Sequence, residues 1–328
     1  MSAATLVTAD WHHTEKPKDR YRFDAMDFIC QLIDKHEVKQ LVMLGDLAHN
    51  KDHHPAALVN DIVDLLYDIS KTCDVYVDQG NHDIAADTPF FQFVRWLPDV
   101  HWIRRPTFRH LDGIGPVGFL PHTRDYEKDW KDLYSRWEGC AIIFAHNAFE
   151  GAISETGKKL ERTIPLNIFP PGIQIISGDV HKPQKYGDLI YVGAPYTQKY
   201  GDDYEPRVLL IQDGKIESIE VPGPQKRLFE VSSLEELDEN LLECSQEDMI
   251  KVRYHLKTAD RDKWPELVAT VKKHNPGVIL QPILEKRELA RLPVQSSKND
   301  KELVKEYGKQ QKLSPEAMVT GYELINEH

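Results

Sequence analysis

Five short apolar runs in this chain each end in oxygen- or imidazole-bearing residues. Asp10 and His12 follow the run 5–9, Asp46 and His49 follow 40–44, and Asn81 and His82 follow 74–78. His146 closes the run 140–145, and Asp179 and His181 follow 173–177. Taken singly, each has a plain structural explanation: Asp and Asn turn the chain and accept from nearby backbone N–H groups, and one histidine fits a core. Five strand ends repeating the same types point instead to one shared centre, placed where open α/β sheets put their chemistry. The set offers carboxylate, amide and imidazole ligands and no thiolate, which suits Mn, Fe, Zn or Mg and not an iron–sulfur cluster. A carboxylate between two ions can bridge them, and the central Asp46 is the candidate.

The elements that must position these residues follow from the hydrophobic pattern. Between the first two runs, Met26, Ile29, Cys30 and Ile33 form one apolar face of a helix over 21–37. Between the second and third, Leu58, Ile62, Leu65, Leu66 and Ile69 do the same over 54–71. Strand, helix, strand, helix, strand implies parallel strands with crossover helices. Further on, the pattern predicts a short helix over 90–97, a strand over 117–120 and a charged, aromatic surface helix over 126–137. The connection 147–171, with Gly151, Gly157 and Pro170-Pro171, is long enough to suggest a functional or mobile segment. Strands at 189–192 and 208–211 follow, and Asp213-Gly214 turns the second into a hairpin with 216–221.

Pro222-Gly223-Pro224 reads as a boundary closing a first domain, 1–222. Beyond it, 250–256, 262–273 and 278–284 form a strand, helix, strand unit within a small α/β domain, 225–295. The remaining 296–328 reads as a helical tail, with a helix over 301–311 and a second starting at Ser314-Pro315-Glu316. Val319, Tyr322 and Ile325 give that second helix an apolar stripe, for its own domain or for a partner.

The whole chain has 328 residues, 41% hydrophobic and 29% charged, the balance of a soluble globular protein. Its net charge of −12 argues against coating nucleic acid by general electrostatics, but bound dications, a local basic rim or a basic partner leave room for a nuclease. Cys30, Cys73, Cys140 and Cys244 form no CxxC pair and read as buried free thiols in a reducing compartment, the cytoplasm. No apolar run is long enough to span a bilayer, and the Met1 end carries no signal pattern.

Asp10-x-His12, Gly45-Asp46-x-x-His49, Gly80-Asn81-His82-Asp83, His146 and Gly178-Asp179-Val180-His181 together resemble the calcineurin-like metallophosphoesterases, in order and spacing, across most of 5–195. Gly45-Asp46-Leu47-Ala48-His49, the continuation Lys182-Pro183-Gln184, and Gly193-Ala194-Pro195 are similar to the SbcD-type repair nucleases, which act with an SMC-like ATPase and have phage relatives. The resemblance implies a four-layered α/β/β/α sandwich with a small α/β capping domain and helical C-terminal tail. It implies two divalent metal ions, Mn2+ first and Mg2+, Fe2+ or Zn2+ as substitutes. Asp10, His12 and His181 would hold one, Asn81, His146 and Asp179 the other, and Asp46 both. His82 would be the general acid or phosphate-stabilising group, Asp83 would orient it, and His49 would lie beside the scissile phosphate. Two ions about 3.5–4 Å apart generate a hydroxide near neutral pH for in-line displacement.

DNA and an SMC-like ATPase would be the partners, with a homodimer admitted and no membrane. The compartment would be the cytoplasm of a bacterium, or of the host for a phage-encoded copy. Lys182, Tyr186 and Arg124 are candidate DNA contacts, with Trp11, Trp102 and Tyr196 as further stacking candidates. The family pattern departs at Asp179, where imidazole is usual; a harder anionic donor there favours Mn or Mg over Zn. Two other functions fit the same motifs: a phosphoesterase acting on nucleotides or phosphoproteins, and an assembly subunit with a degraded metal site.

Overall fold

The computed structural model describes residues 2–130, 133–284, 300–310, 312–315, 317 and 319–320. The first domain runs β1 (Ala4–Ala9), α1 (Tyr21–Lys35), β2 (Val38–Leu44), α2 (Ala56–Ser70), β3 (Asp74–Asp78), the two-residue strands β4 (Ile84–Ala85) and β5 (Thr88–Pro89), and β6 (Val100–Ile103). It continues through β7 (Thr107–Leu111), β8 (Gly115–Leu120), α3 (Tyr126–Trp130), α4 (Tyr134–Trp137), β9 (Ile142–His146) and β10 (Gln174–Gly178). β11 (Gln184–Tyr186), β12 (Leu189–Tyr191), β13 (Arg207–Gln212) and β14 (Lys215–Glu220) complete it.

These strands make two six-stranded sheets, ordered β14-β13-β1-β2-β3-β6 and β11-β12-β10-β9-β8-β7. β1, β2, β3 and β6 are parallel, as are β8, β9, β10 and β12, so in each sheet those strands end on a common edge. Alternating side chains divide the apolar residues among three layers of core. Val7, Val42 and Leu44 meet Phe119, Phe144 and Ile176 between the sheets. Leu6, Leu41 and Met43 pack outward against Ile29, Ile33 and Ile62 of α1 and α2. Ile143 and Ile175 of the second sheet pack outward with Trp130, Trp137 and Phe149. The result is the α/β/β/α sandwich, in which the central strands are buried on both faces.

Three expectations are corrected. The 126–137 segment is two short helices rather than one surface helix, and Trp130 and Trp137 are fully buried over the second sheet. Glu127, Lys128, Asp129 and Arg136 are exposed; the two indoles supply the apolar area. The segment 91–96 is a 3-10 turn, and β6 and β7, whose polar residues hide the alternation, were not legible. Of the cysteines, all free, only Cys73 is buried; the other three are half-buried.

After Val221 the chain forms a separate three-stranded parallel sheet, β15 (Lys226–Val231), β16 (Met249–Leu256) and β17 (Ile279–Leu284), with α5 (Leu234–Leu242) and α6 (Trp264–His274). Val231, Leu237, Val252, Val271 and Val278 give it a core of its own. Ser233 caps α5 by accepting the Glu236 N–H at 3.1 Å, and Glu236 returns the favour to the Ser232 N–H at 2.8 Å. A helix α7 (Asp300–Gln310) lies in the tail, and Ser314 Oγ accepts the Ala317 N–H at 3.3 Å. Glu316, Tyr322, Ile325 and the stretch 285–299 lie outside the described residues.

Candidate metal centre

The strand ends deliver their side chains through unusual backbone. Asp10 (φ 56°), His12 (42°), Asp46 (63°) and Asp179 (75°) all lie in the left-handed region. For non-glycine residues that conformation costs about 1–2 kcal/mol each, and such strain clusters where function demands a fixed geometry. Two glycines make the crowding feasible. A Cβ on Gly45 would sit 2.3 Å from His146 Nδ1, and one on Gly80 would sit 2.2 Å from Asp46 Oδ1.

Within this frame the predicted residues converge. Asp10, His12 and His181 each bring a ligand atom within 4.8 Å of the others; so do Asp10, Asp46 and His146, and so do His12, Asp46 and His82. His12 Nε2 lies 3.1 Å from His181 Nε2 and 3.3 Å from Asp46 Oδ2. His146 Nε2 lies 3.5 Å from that same Asp46 oxygen and 3.8 Å from Asp179 Oδ1, which accepts from Asn81 Nδ2 at 3.1 Å. The Asp179 N–H donates to Asp10 Oδ1 at 3.1 Å. Asp46 thus stands between an Asp10–His12–His181 group and an Asn81–His146–Asp179 group.

The donor set fits divalent cations. Asp10 Oδ2, Asn81 Oδ1 and His146 Nε2 are buried without a hydrogen-bond partner, a costly state for three polar atoms in one place. Imidazole tautomers agree. His146 Nδ1 lies 2.7 Å from the Leu44 carbonyl oxygen and His181 Nδ1 lies 3.1 Å from Glu155 Oε1. Protons held at both Nδ1 atoms leave both Nε2 lone pairs aimed into the centre.

The electrostatics report the same demand for positive charge. Burial, helped by the charges of Asp46 and Asp179, pushes the Asp10 carboxyl up to about 7, although His146 and His181 pull against it. Burial also opposes charge on His146, yet Asp46, Asp10 and Asp179 push its imidazole well above the ordinary range. For Asp46 the burial penalty is overcome by His146 and His12, which hold its carboxyl far below the usual range.

His82 is half-buried, its ring centre 4.5 Å from that of His12, and its Nδ1 lies 2.5 Å from the His49 carbonyl oxygen. The orienting partner expected for His82 is therefore corrected. Asp83 is buried and accepts the N–H groups of Gly80 (2.8 Å), Asp46 (2.9 Å) and Leu47 (3.0 Å). It clips the loop carrying the shared carboxylate to the loop carrying Asn81. His49 is exposed, its ring centre 5.6 Å from His12.

Several residues that hold the centre were missed. Gln198 Nε2 donates to the Asp10 carbonyl at 3.0 Å, and Arg22 donates to the His12 carbonyl. Glu155 lies in the long connection flagged as functional, but no motif singled it out. His122 faces His146 with ring centres 6.2 Å apart. The candidate DNA contacts border different hollows. Lys182 borders a separate cleft with Tyr204 and Arg207, while Tyr186, 59% exposed, packs on Gly151. Arg124 borders two cavities that reach Asn81 and Asp179. Trp11 and Tyr196 are core residues and cannot stack on a base.

The family model described as calcineurin-like phosphoesterase matches residues 4–183. A protein of Invertebrate iridescent virus 6, provisionally described as phosphoesterase 244L, is 23% identical over 243 residues, spanning 67% of this chain and 80% of the viral one. Among solved structures, nuclease MPE of Pseudomonas putida matches with 15% identity and a TM-score of 0.34, over 66% of this chain and 87% of its own. A dimetal phosphatase from Danio rerio matches with 11% identity and a TM-score of 0.43, over 67% and 99%.

Proposed function

Since the chain belongs to the calcineurin-like phosphoesterase family, hydrolases of phosphoester bonds, we propose that it is a metal-dependent DNA phosphodiesterase, the nuclease subunit of an SbcCD-like repair or recombination complex. The observation that carries the catalytic part is the convergence of three orphaned ligand atoms, of Asp10, Asn81 and His146, with His12 and a buried Asp46. Asp10, His12 and His181 would hold one divalent ion, Asn81, His146 and Asp179 the other, and Asp46 both. When bound, the ions, Mn2+ by the hardness of the donors, supply positive charge to phosphoryl oxygens and acidify water. His82, whose Nδ1 lies against the His49 carbonyl, would stabilise the phosphoryl group or protonate the leaving oxygen. Asp83 works at one remove, fixing the backbone that aims Asp46 and Asn81.

The ATPase partner, the cytoplasmic setting and the repair role rest on the Gly45–His49 and Gly178–Gln184 resemblance. Among the described residues no helix is long and apolar enough to cross a membrane. The test is Mn-dependent digestion of end-labelled duplexes by wild type and His82→Ala, with and without an SMC-like ATPase. Digestion lost in His82→Ala with retained Mn supports the reading. Turnover of phosphopeptides or mononucleotides with intact duplexes would replace it with the alternative phosphoesterase function, and failure to take up Mn with no turnover of any ester would leave an assembly subunit with a degraded metal site.

A further inference from the structure

A cleft of about 470 Å³ opens from Asp179, bordered by Arg124, Tyr126, Asn147, Arg162 and Thr163. Its two walls are built rather than loose. Asn147 is buried; its Oδ1 accepts the Thr123 N–H at 3.1 Å, and its Nδ2 donates to the Leu120 and Pro121 carbonyls, each at 3.3 Å. That staples the backbone carrying Arg124. On the other side, Ile164 exchanges backbone hydrogen bonds with Ala148 (2.9 Å) and Glu150 (2.8 Å), pinning the segment of Arg162 and Thr163 to the chain just beyond His146. Two arginines are thereby presented from separate, anchored segments beside the second group of ligands.

The charge of this cleft sets it apart from its neighbour. Arg124 and Arg162 stand against one lining carboxylate, Asp179, itself a candidate ligand. Arg162 has no ion-pair partner among the described residues, and Arg124 has only an exposed contact with Asp87 at 3.8 Å. The smaller cavity on the far side of Arg124, about 330 Å³, has Lys51 and Lys128 as well, but Asp87, Asp125 and Asp129 offset them. In a chain of net charge −12 a cleft with an arginine excess is a local anion site. The guanidinium fork matches phosphate oxygens, the Tyr126 ring offers a face for a base, and the volume is that of a small-ligand pocket.

We infer that this cleft takes the nucleotide adjoining the scissile phosphate, with Arg124 and Arg162 clamping the next phosphate of a polynucleotide. The inference rests on the phosphodiesterase reading above and narrows it: the second phosphate distinguishes a nucleic-acid strand from a monoester or a phosphoprotein side chain.

The experiment compares wild type, Arg124→Ala, Arg162→Ala and the double variant, all Mn-loaded, on a single-stranded oligonucleotide and on bis(p-nitrophenyl) phosphate, which has no second phosphate. Each charge-assisted contact is worth about tenfold, so the double variant should lower kcat/KM for the oligonucleotide at least about tenfold more than for the small diester. The excess should appear chiefly in KM and should shrink as salt rises. Equal falls on both substrates, or no change on the oligonucleotide, would overturn the cleft while leaving the nuclease intact. A wild type that turns over the small diester and ignores the oligonucleotide would overturn the nuclease reading and the cleft with it.

Discussion

Asp10 and Asp19 are both buried carboxylates near the start of the chain, and their surroundings are opposites. Asp19 is fully answered by protein: Lys226 Nζ donates to its Oδ1 at 3.2 Å, Thr14 Oγ1 donates to its Oδ2 at 3.0 Å, and Arg22 Nη2 lies 3.8 Å away. Burial works against the Asp19 charge, but Arg22 and Lys226 more than offset it and hold the carboxyl below its ordinary range. Asp10 sits among other acids and imidazoles, one of its oxygens without a partner, and burial lifts its carboxyl to about 7. One cluster supplies its own cations; the other is complete only with cations from solution. The first is a joint: Lys226 starts the small domain's first strand and also donates to the Gln198 carbonyl at 3.1 Å, while Gln198 and Arg22 hold the backbone of Asp10 and His12. The second is the centre that this joint supports.

Breaking each cluster should therefore give different signatures. The largest effect is expected from Asp46→Ala, which removes the shared carboxylate. Turnover of a small diester should fall by more than about 100-fold, the upper range for losing even an outer partner of a metal ligand. The metal-free protein should melt no lower than wild type, and the rise in Tm on adding Mn should vanish. Lys226→Met should do the reverse. It leaves the Asp19 carboxylate half-answered, at a cost of about 3–5 kcal/mol, seen as a lower Tm with or without Mn. A Lys226→Met loss that Mn fully restores would collapse the distinction between the clusters.

Glu155→Gln should act on the centre alone. Without the carboxylate at 3.1 Å, the His181 tautomer is no longer fixed, and Mn affinity should weaken about 10–100-fold by titration calorimetry. The pH dependences also part. Asp19 has a depressed folded pKa, so its contribution is present above about pH 4, the unperturbed value, and is lost as pH falls through the folded value. Asp10 has a raised one, so in the metal-free protein its contribution is present below about pH 4 and is lost as pH rises through about 7. A divalent ion must displace that proton as well as those on His146 and His181, which their acidic neighbours also hold more tightly, so Mn affinity should climb with pH through about 7. Affinity independent of pH over that range would remove Asp10 from the centre. The smallest change is expected from Asp179→His, which replaces an anionic donor with a neutral one. It should leave Mn bound and shift the pH–rate profile to lower pH by strengthening the net positive charge; unchanged metal content and profile would show that Asp179 lies outside the coordination.

The difference between the clusters also explains what the sequence could disclose. Each candidate ligand follows an apolar run, so strand end and chemical type appear together within a few residues, as at Leu44-Gly45-Asp46. The parallel strand-helix alternation at the start was readable for the same reason, since the apolar periods of α1 and α2 are local; the layering of two sheets followed only from the family resemblance. Glu155, Gln198, Arg22 and Arg162 carry no such mark: their roles exist only because β9, β10 and β1 bring distant loops to one edge. Asp83 was visible as a motif member, but its task, gripping three backbone N–H groups, depends on two loops meeting. Trp130 and Trp137 misled for a related reason, as charge at neighbouring positions masked the two side chains that decide which way the segment faces.

The central claim is that Asp46 is shared by two ions. Anomalous diffraction at the manganese edge from Mn-soaked crystals tests it most directly. Two peaks are expected, one among Asp10, His12 and His181 and one among Asn81, His146 and Asp179, with an Asp46 oxygen bonded to both. A single peak, or a pair that leaves Asp46 unbonded, would contradict the account.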